Sequence, residues 1–226
     1  MIRDCFVIAE LGVNWRNLHQ ADKLIRDCAW AGADAVKFQM YNEEQIKDAP
    51  DYPFLRHIML KKPDIRYLYW RCKYHDIEFM CTPMYPEAVD ILDPYVERWK
   101  VRYADRENED IISRMFTGHD KQILISHHEV PAIREWRHIK YLYCVPEYPP
   151  TKCGFDEFQS RYLNKGFDGV SCHWPNIEIA MYFVKNGARF LEMHVKDEDE
   201  DYCPVDNAVS ITICELKKLI DWMRSE

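Results

Sequence analysis

Short apolar runs alternate with amphipathic runs along the whole chain. Phe6–Leu11 reads as a buried strand, and Leu18–Ala31 as a helix with Ala21, Leu24, Ile25 and Cys28 at helical spacing. Gly32 closes that helix, as a glycine just past a C-terminus commonly does. The next run, Ala35–Met40, has the length and side-chain type of a strand. Its period of two puts Ala35, Lys37 and Gln39 on one face and Val36, Phe38 and Met40 on the other. A face that starts apolar and turns polar at its C-terminal end is what a barrel strand shows when its tip lines a site.

The alternation continues to the end. Strands are predicted over Glu78–Thr82, Arg98–Tyr103, Gln122–Ser126, Ile139–Val145, Phe167–His173 and Ala188–Val195. Helices are predicted over Asp64–His75, Pro86–Leu92, Asn108–Phe116, Pro131–Trp136, Phe155–Lys165, Ile177–Asn186 and Ile213–Arg224. Tyr41–Pro63, with three prolines, reads as an irregular connection. Eight strand-then-helix units without a break in composition predict an α/β fold, a single (β/α)8 TIM barrel over residues 1–226. An open doubly wound sheet is the alternative. No glycine-rich phosphate loop follows any strand, which counts against its nucleotide-binding form.

Composition narrows the function classes. A content of 47% hydrophobic residues suffices for one well-packed domain. No run of about 18 apolar residues exists to span a membrane. The net charge of −8 leaves no basic stripe for a nucleic acid, though a local cation cluster could still hold a small anion. The apolar run near the N-terminus is short and Glu10 interrupts it, so no signal peptide is expected. The nine cysteines (5, 28, 72, 81, 144, 153, 172, 203 and 214) form no C-x-x-C pair. Free thiols in a reducing cytoplasm are the expectation.

On a barrel, the strand tips share one mouth. Those tips carry Glu10, Lys37, Gln39, Thr82, Lys100, Ser126, Glu147 with Tyr148, His173, and Glu192 with His194. One buried lysine is commonly a snorkelling side chain. Two lysines from different strands make a positive field suited to a phosphate or carboxylate. His173 and His194 end neighbouring strands, and two readings stand: ligands of one divalent metal, or hydrogen-bonded rim residues. His127 and His128 read as a rim feature, and the acidic run Lys196–Asp201 as a solvated loop. Cys172 and His173 are strand neighbours and so point to opposite faces, which argues against a nucleophilic pair between them.

Ile8-Ala-Glu-Leu-Gly-Val-Asn14 and Ala31-Gly-Ala-Asp-Ala-Val-Lys-Phe-Gln39 resemble the opening of the sialic acid (N-acetylneuraminate) synthase family. Phe79–Pro83, Trp99–Val101, Ile123–Ser126, Glu147–Pro149, Gly169–His173 and Glu192–His194 follow in the family's order, then Asp206 and Ser210. The resemblance implies condensation of phosphoenolpyruvate with an N-acylmannosamine-like sugar or other aldehyde, giving a nonulosonic 2-keto acid and phosphate. It implies a divalent metal, Mn2+ or Mg2+, held by His173 and His194. It implies catalytic roles for Glu10, Lys37, Gln39 and Lys100, and substrate contacts from Thr82, Asp105, Ser126, Tyr148, Ser171 and Asp206. Small-molecule substrates are the expected partners, with no nucleic acid and no membrane, and a homodimer is compatible with the resemblance.

The chain departs from the family pattern at Tyr103, His127-His128, Pro146 and Cys172, mostly around the phosphoenolpyruvate pocket. The family's small C-terminal antifreeze-like domain is expected to be absent. A barrel that binds a sugar or phosphate ligand without turnover is therefore the alternative function. A Schiff-base aldolase using Lys37 or Lys100 is a third.

Overall fold

The alternation of apolar and amphipathic runs folds into parallel strands joined by helical crossovers. The structure is a computed structural model that describes residues 4–116, 121–130, 137–150, 166–198 and 205–225. The strands are β1 (Phe6–Gly12), β2 (Ala35–Met40), β3 (Glu78–Pro83), β4 (Arg98–Val101), β5 (Gln122–His127), β6 (Ile139–Tyr143), β7 (Gly169–Cys172) and β8 (Phe190–Lys196). They hydrogen-bond in the order β3-β2-β1-β8-β7-β6-β5-β4, with every ladder parallel. β3 and β4, the ends of that order, pack side by side and bring the sheet round on itself. The fold is the α/β TIM barrel that the sequence predicts.

A side-chain clamp spans the seam between β3 and β4. Arg98 donates through Nε to Glu78 Oε1 at 2.7 Å and through Nη2 to Glu78 Oε2 at 2.9 Å. Its guanidinium also lies 4.0 Å from the centroid of the Phe6 ring. Two parallel N–H···O bonds to one carboxylate are the strongest ion-pair geometry available to a side chain.

Two apolar layers surround the sheet. Ile8, Ala35, Met80, Leu124, Leu142 and Phe190, each from a different strand, fill the barrel axis. Val36, Phe38, Leu24, Leu68, Trp99 and Leu216 belong to the larger layer between sheet and helices. Ala35 therefore faces the axis, and Lys37 and Gln39 stand above it on the same face, as the period of two requires.

The helices follow the predicted pattern with a few differences. In α1 (Leu18–Ala31), the Asn17 side chain accepts from the Gln20 N–H at 3.0 Å, and Gly32 closes the helix at φ 95°. The Tyr41–Pro63 stretch is not irregular throughout: it holds α2 (Glu43–Ile46) and α3 (Tyr52–His57), and α4 (Lys62–Tyr74) starts within it. Its prolines mislead as breakers, because Pro53 and Pro63 sit in the first turns of α3 and α4, where a missing N–H costs nothing. The chain continues through α5 (Pro86–Leu92), α6 (Glu109–Met115), α7 (Ile177–Lys185) and α8 (Ile213–Ser225). β4 ends at Val101, two residues before the predicted boundary, where the chain turns into a 3-10 segment, Tyr103–Asp105. A two-residue strand, β9 (Ile211–Thr212), pairs with β8 and is too short for periodicity to reveal. The helices predicted over 131–136 and 155–165, and the end of the acidic run, lie outside the described residues. No helix among the described residues is long and apolar enough to cross a membrane.

Candidate active site

Strand register decides which side chains meet at the mouth. Glu10 pairs in register with Lys37 on β2 and with His194 on β8; Gln39 pairs with Thr82, and Ser171 with Glu192. These tips surround a cavity of about 310 Å³. Of the residues given a catalytic, substrate or metal role from sequence, all except Asp105 line it; Glu147, placed beside Tyr148 at a strand tip, is not part of the lining either.

The floor is a buried charge cluster. Lys37 Nζ lies 2.6 Å from Glu10 Oε2 and donates to Thr82 Oγ1 at 3.0 Å. Gln39 donates to the other Glu10 oxygen at 2.8 Å. Lys100 Nζ donates to Ser126 Oγ at 2.7 Å and to the Val101 carbonyl at 3.1 Å. Glu192 stands between the lysines, with Oε1 3.5 Å from Lys100 and Oε2 3.8 Å from Lys37, and it accepts from Ser171 Oγ at 2.8 Å.

The environments push these groups apart. Burial works against the charge of Glu192, but Lys100, then Lys37 and the Ser171 hydroxyl, outweigh it and bring the carboxyl down to about 2. Burial raises Glu10 above the usual carboxylate range, against the pull of Lys37 and His194. Burial also opposes the charge of Lys37, yet Glu10 and Glu192 hold its pKa above the ordinary lysine value. Lys100 falls below that value, chiefly through burial. Within one cluster, then, Glu192 is held low and Lys37 high by their opposite charges, while burial moves Glu10 and Lys100 the other way.

One wall carries the imidazoles. The His173 and His194 rings lie 5.3 Å apart, and the Tyr148 ring meets the His173 ring edge-on at 4.9 Å. Burial, then the neighbouring His194, lower His173 to about 3, so its ring is neutral with a nitrogen lone pair. His194 is raised: Asp206, 3.5 Å from its Nδ1, outweighs burial. Tyr148 donates to the other Asp206 oxygen at 2.5 Å. Among the described residues no three His, Cys, Asp or Glu side chains already converge as a cage. Even so, two imidazoles with a carboxylate alongside form a donor set suited to a divalent ion completed by water.

Gly12 closes the corner between these halves. Its φ is +48°, and a Cβ there would come within 2.9 Å of Asp206 Oδ2 and 3.0 Å of Glu10 Oε1. Only a glycine lets the backbone approach both groups so closely.

Asp105 is buried beside the cavity, not in its wall. The 3-10 segment turns its carboxylate onto Arg102, with which it forms a short ion pair. Tyr103 and Pro146, two of the departures from the family pattern, line the cavity, and so do Arg102 and Cys144, which were not assigned to it by sequence. The alternation that makes Lys100 inward-facing also points to Arg102, a signal that was available. Tyr103 bonds His128 Nδ1 through its hydroxyl at 2.9 Å, and His128 stacks on His127 at 5.1 Å. Those departures from the family pattern thus form one joined group over the tips of β4 and β5.

Known proteins share this barrel. N,N'-diacetyllegionaminic acid synthase of Campylobacter jejuni is 27% identical over 259 residues, covering 99% of this chain and 76% of that protein. Spore coat polysaccharide biosynthesis protein SpsE of Bacillus subtilis is 24% identical, covering 97% of this chain and 66% of that protein. The crystal structure of N-acetylneuraminic acid (sialic acid) synthetase from Leptospira borgpetersenii, in complex with citrate, superposes with a TM-score of 0.79 at 25% identity, over 98% of this chain and 83% of that one. The NeuB family model matches residues 24–226, from within α1 to the end of the chain, and the protein belongs to the NeuB family.

Proposed function

We propose that this barrel condenses phosphoenolpyruvate with an N-acylmannosamine-like sugar, or another aldehyde, to give a nonulosonic 2-keto acid and phosphate. The observation that carries this reading is the pair of buried lysines from β2 and β4, compensated by Glu192 and set beside two histidine tips. The relatives named as legionaminic acid synthases support the reaction class.

In this reading Lys37 and Lys100 receive the phosphate and carboxylate of the donor. The hydroxyls of Thr82, Ser126 and Ser171, now bonded to the charged floor, turn toward the ligand oxygens. The enol carbon forms the new bond to the aldehyde carbon and the aldehyde oxygen takes up a proton, a transfer assigned to Glu10, whose carboxyl burial raises above its ordinary value. Water adds at the carbon bearing the phosphate ester, the bond to the bridging oxygen breaks, and phosphate leaves. Gln39, Tyr148 and Asp206 face the acceptor. His173 and His194 would hold a divalent Mn2+ or Mg2+, which when bound polarises the aldehyde oxygen.

Phosphate release from phosphoenolpyruvate, with manganese or magnesium and a panel of amino-sugar aldehydes, tests the proposal. Release with at least one aldehyde is expected, and silence across the panel overturns it. A second reading, a barrel that binds its anion without turnover, draws on the Tyr103–His128 contact over the donor end. Calorimetric binding of phosphoenolpyruvate with no phosphate release would select that reading instead.

A further inference from the structure

A second cavity, of about 810 Å³, adjoins the first across His173, which lines both. Its walls continue from residues of the first cavity: Pro149 follows Tyr148, Trp174 follows His173, and Ala208 lies two residues past Asp206. The rest of the lining is Pro150, Pro175, Ile179 and Tyr182, with Asn176 and Glu178 as the polar members. The Asn176 side-chain oxygen is already engaged, accepting the Glu178 N–H at 2.8 Å as the cap of α7. No lysine or arginine lines the space among the described residues, so an anionic group finds no partner there. Proline and aromatic walls hold their shape and suit a neutral, apolar occupant. The first cavity, at about 310 Å³, is at the small end for one ligand, and the proposed reaction brings two.

We propose that this second cavity is a subsite for an apolar substituent of the acceptor, an acyl chain longer than acetyl, reached past His173. The inference rests on reading the first cavity as the condensation site. It adds a preference that the charged floor cannot supply, since nothing on the floor distinguishes one acyl group from another.

The test follows binding and turnover side by side with N-acetyl-, N-butanoyl- and N-hexanoylmannosamine. Calorimetry is expected to give about threefold tighter binding per added methylene, a little under the factor for a fully buried CH2. Ile179→Trp and Ala208→Phe, which add bulk from two separate segments of the lining, are expected to flatten that series, and thermal melts confirm that each variant folds. Affinity that is flat or falls with chain length in the unaltered protein overturns the subsite, as does an unchanged slope in both variants. A rising affinity without phosphate release supports the subsite and sinks the condensation reading. Phosphate release with a flat affinity series does the reverse.

Discussion

Lys100 Nζ and Glu192 Oε1 face each other at 3.5 Å with both side chains almost wholly buried. Taking two charges out of water is unfavourable, and their attraction offsets it only while both remain. Glu192→Gln removes the carboxylate that faces Lys100 and also stands by Lys37, which keeps Glu10 while the buried Lys100 loses its anion. The variant is expected to lose about 3–5 kcal/mol of stability in urea melts. Added inorganic phosphate should recover more stability in the variant than in the parent, because an anion between the lysines takes over the lost role. Equal phosphate effects on both proteins would exclude that role for Glu192.

The two histidines are expected to act as one metal site. His173→Ala and His194→Ala should each weaken manganese binding at least tenfold in calorimetry, the scale of loss known for disturbed metal surroundings. A chelator should stop phosphate release, and excess manganese should restore it. Retained binding in both variants would mean that the imidazoles serve only as rim hydrogen-bond partners.

Buried thiols make stability depend on alkaline pH. Burial pushes the Cys5 thiol up to about 12, with Asp34 adding to the effect, and it raises Cys28, Cys72 and Cys81 as well. In an unfolded chain these groups titrate near 9.0. Below that pH both states hold the proton and nothing changes. Above it the unfolded chain releases protons that the native chain keeps, so stability falls as pH rises toward 12, by up to about 1.4 kcal/mol per pH unit for each thiol. Urea melts at pH 8, 9 and 10 should fall progressively, and a level profile would contradict the burial of these side chains.

The Arg98–Glu78 clamp can be measured as a coupling. Arg98→Ala, Glu78→Ala and the double variant form a cycle in which the pair is expected to contribute about 1–2 kcal/mol, above the usual surface ion pair because it is bidentate and half-buried. A coupling near zero would show that packing of Arg98 on Phe6, rather than the ion pair, carries the contact.

How much of this could be read from the chain depends on the range of the cause. Lys37 and Gln39 were legible because a strand's alternation is local, and Ala35 in the axis fixes their direction. His173 and His194 were legible as neighbours because consecutive barrel strands lie side by side. The role of Glu192 was not, because it arises where side chains from β2, β4 and β8 converge, and no stretch of sequence records that meeting. Asp105 was drawn into the site by the family resemblance, but the strand stops at Val101 and the following turn gives its carboxylate to Arg102. Pro53 concealed the helix α3, and Pro63 the first two residues of α4, because proline breaks a helix interior yet suits a first turn.

The seam between β3 and β4 has a further consequence. Among the described residues no backbone ladder joins these strands, so side chains such as Arg98 and Glu78 hold the circle closed there. Thr82, the hydroxyl on Lys37, belongs to β3, and Lys100 belongs to β4. The two cations thus stand on opposite banks of a joint that can widen without breaking a main-chain hydrogen bond. An anion gripped by both would act as a rivet across it, so ligand affinity and the mechanical tightness of the barrel become two measures of one property.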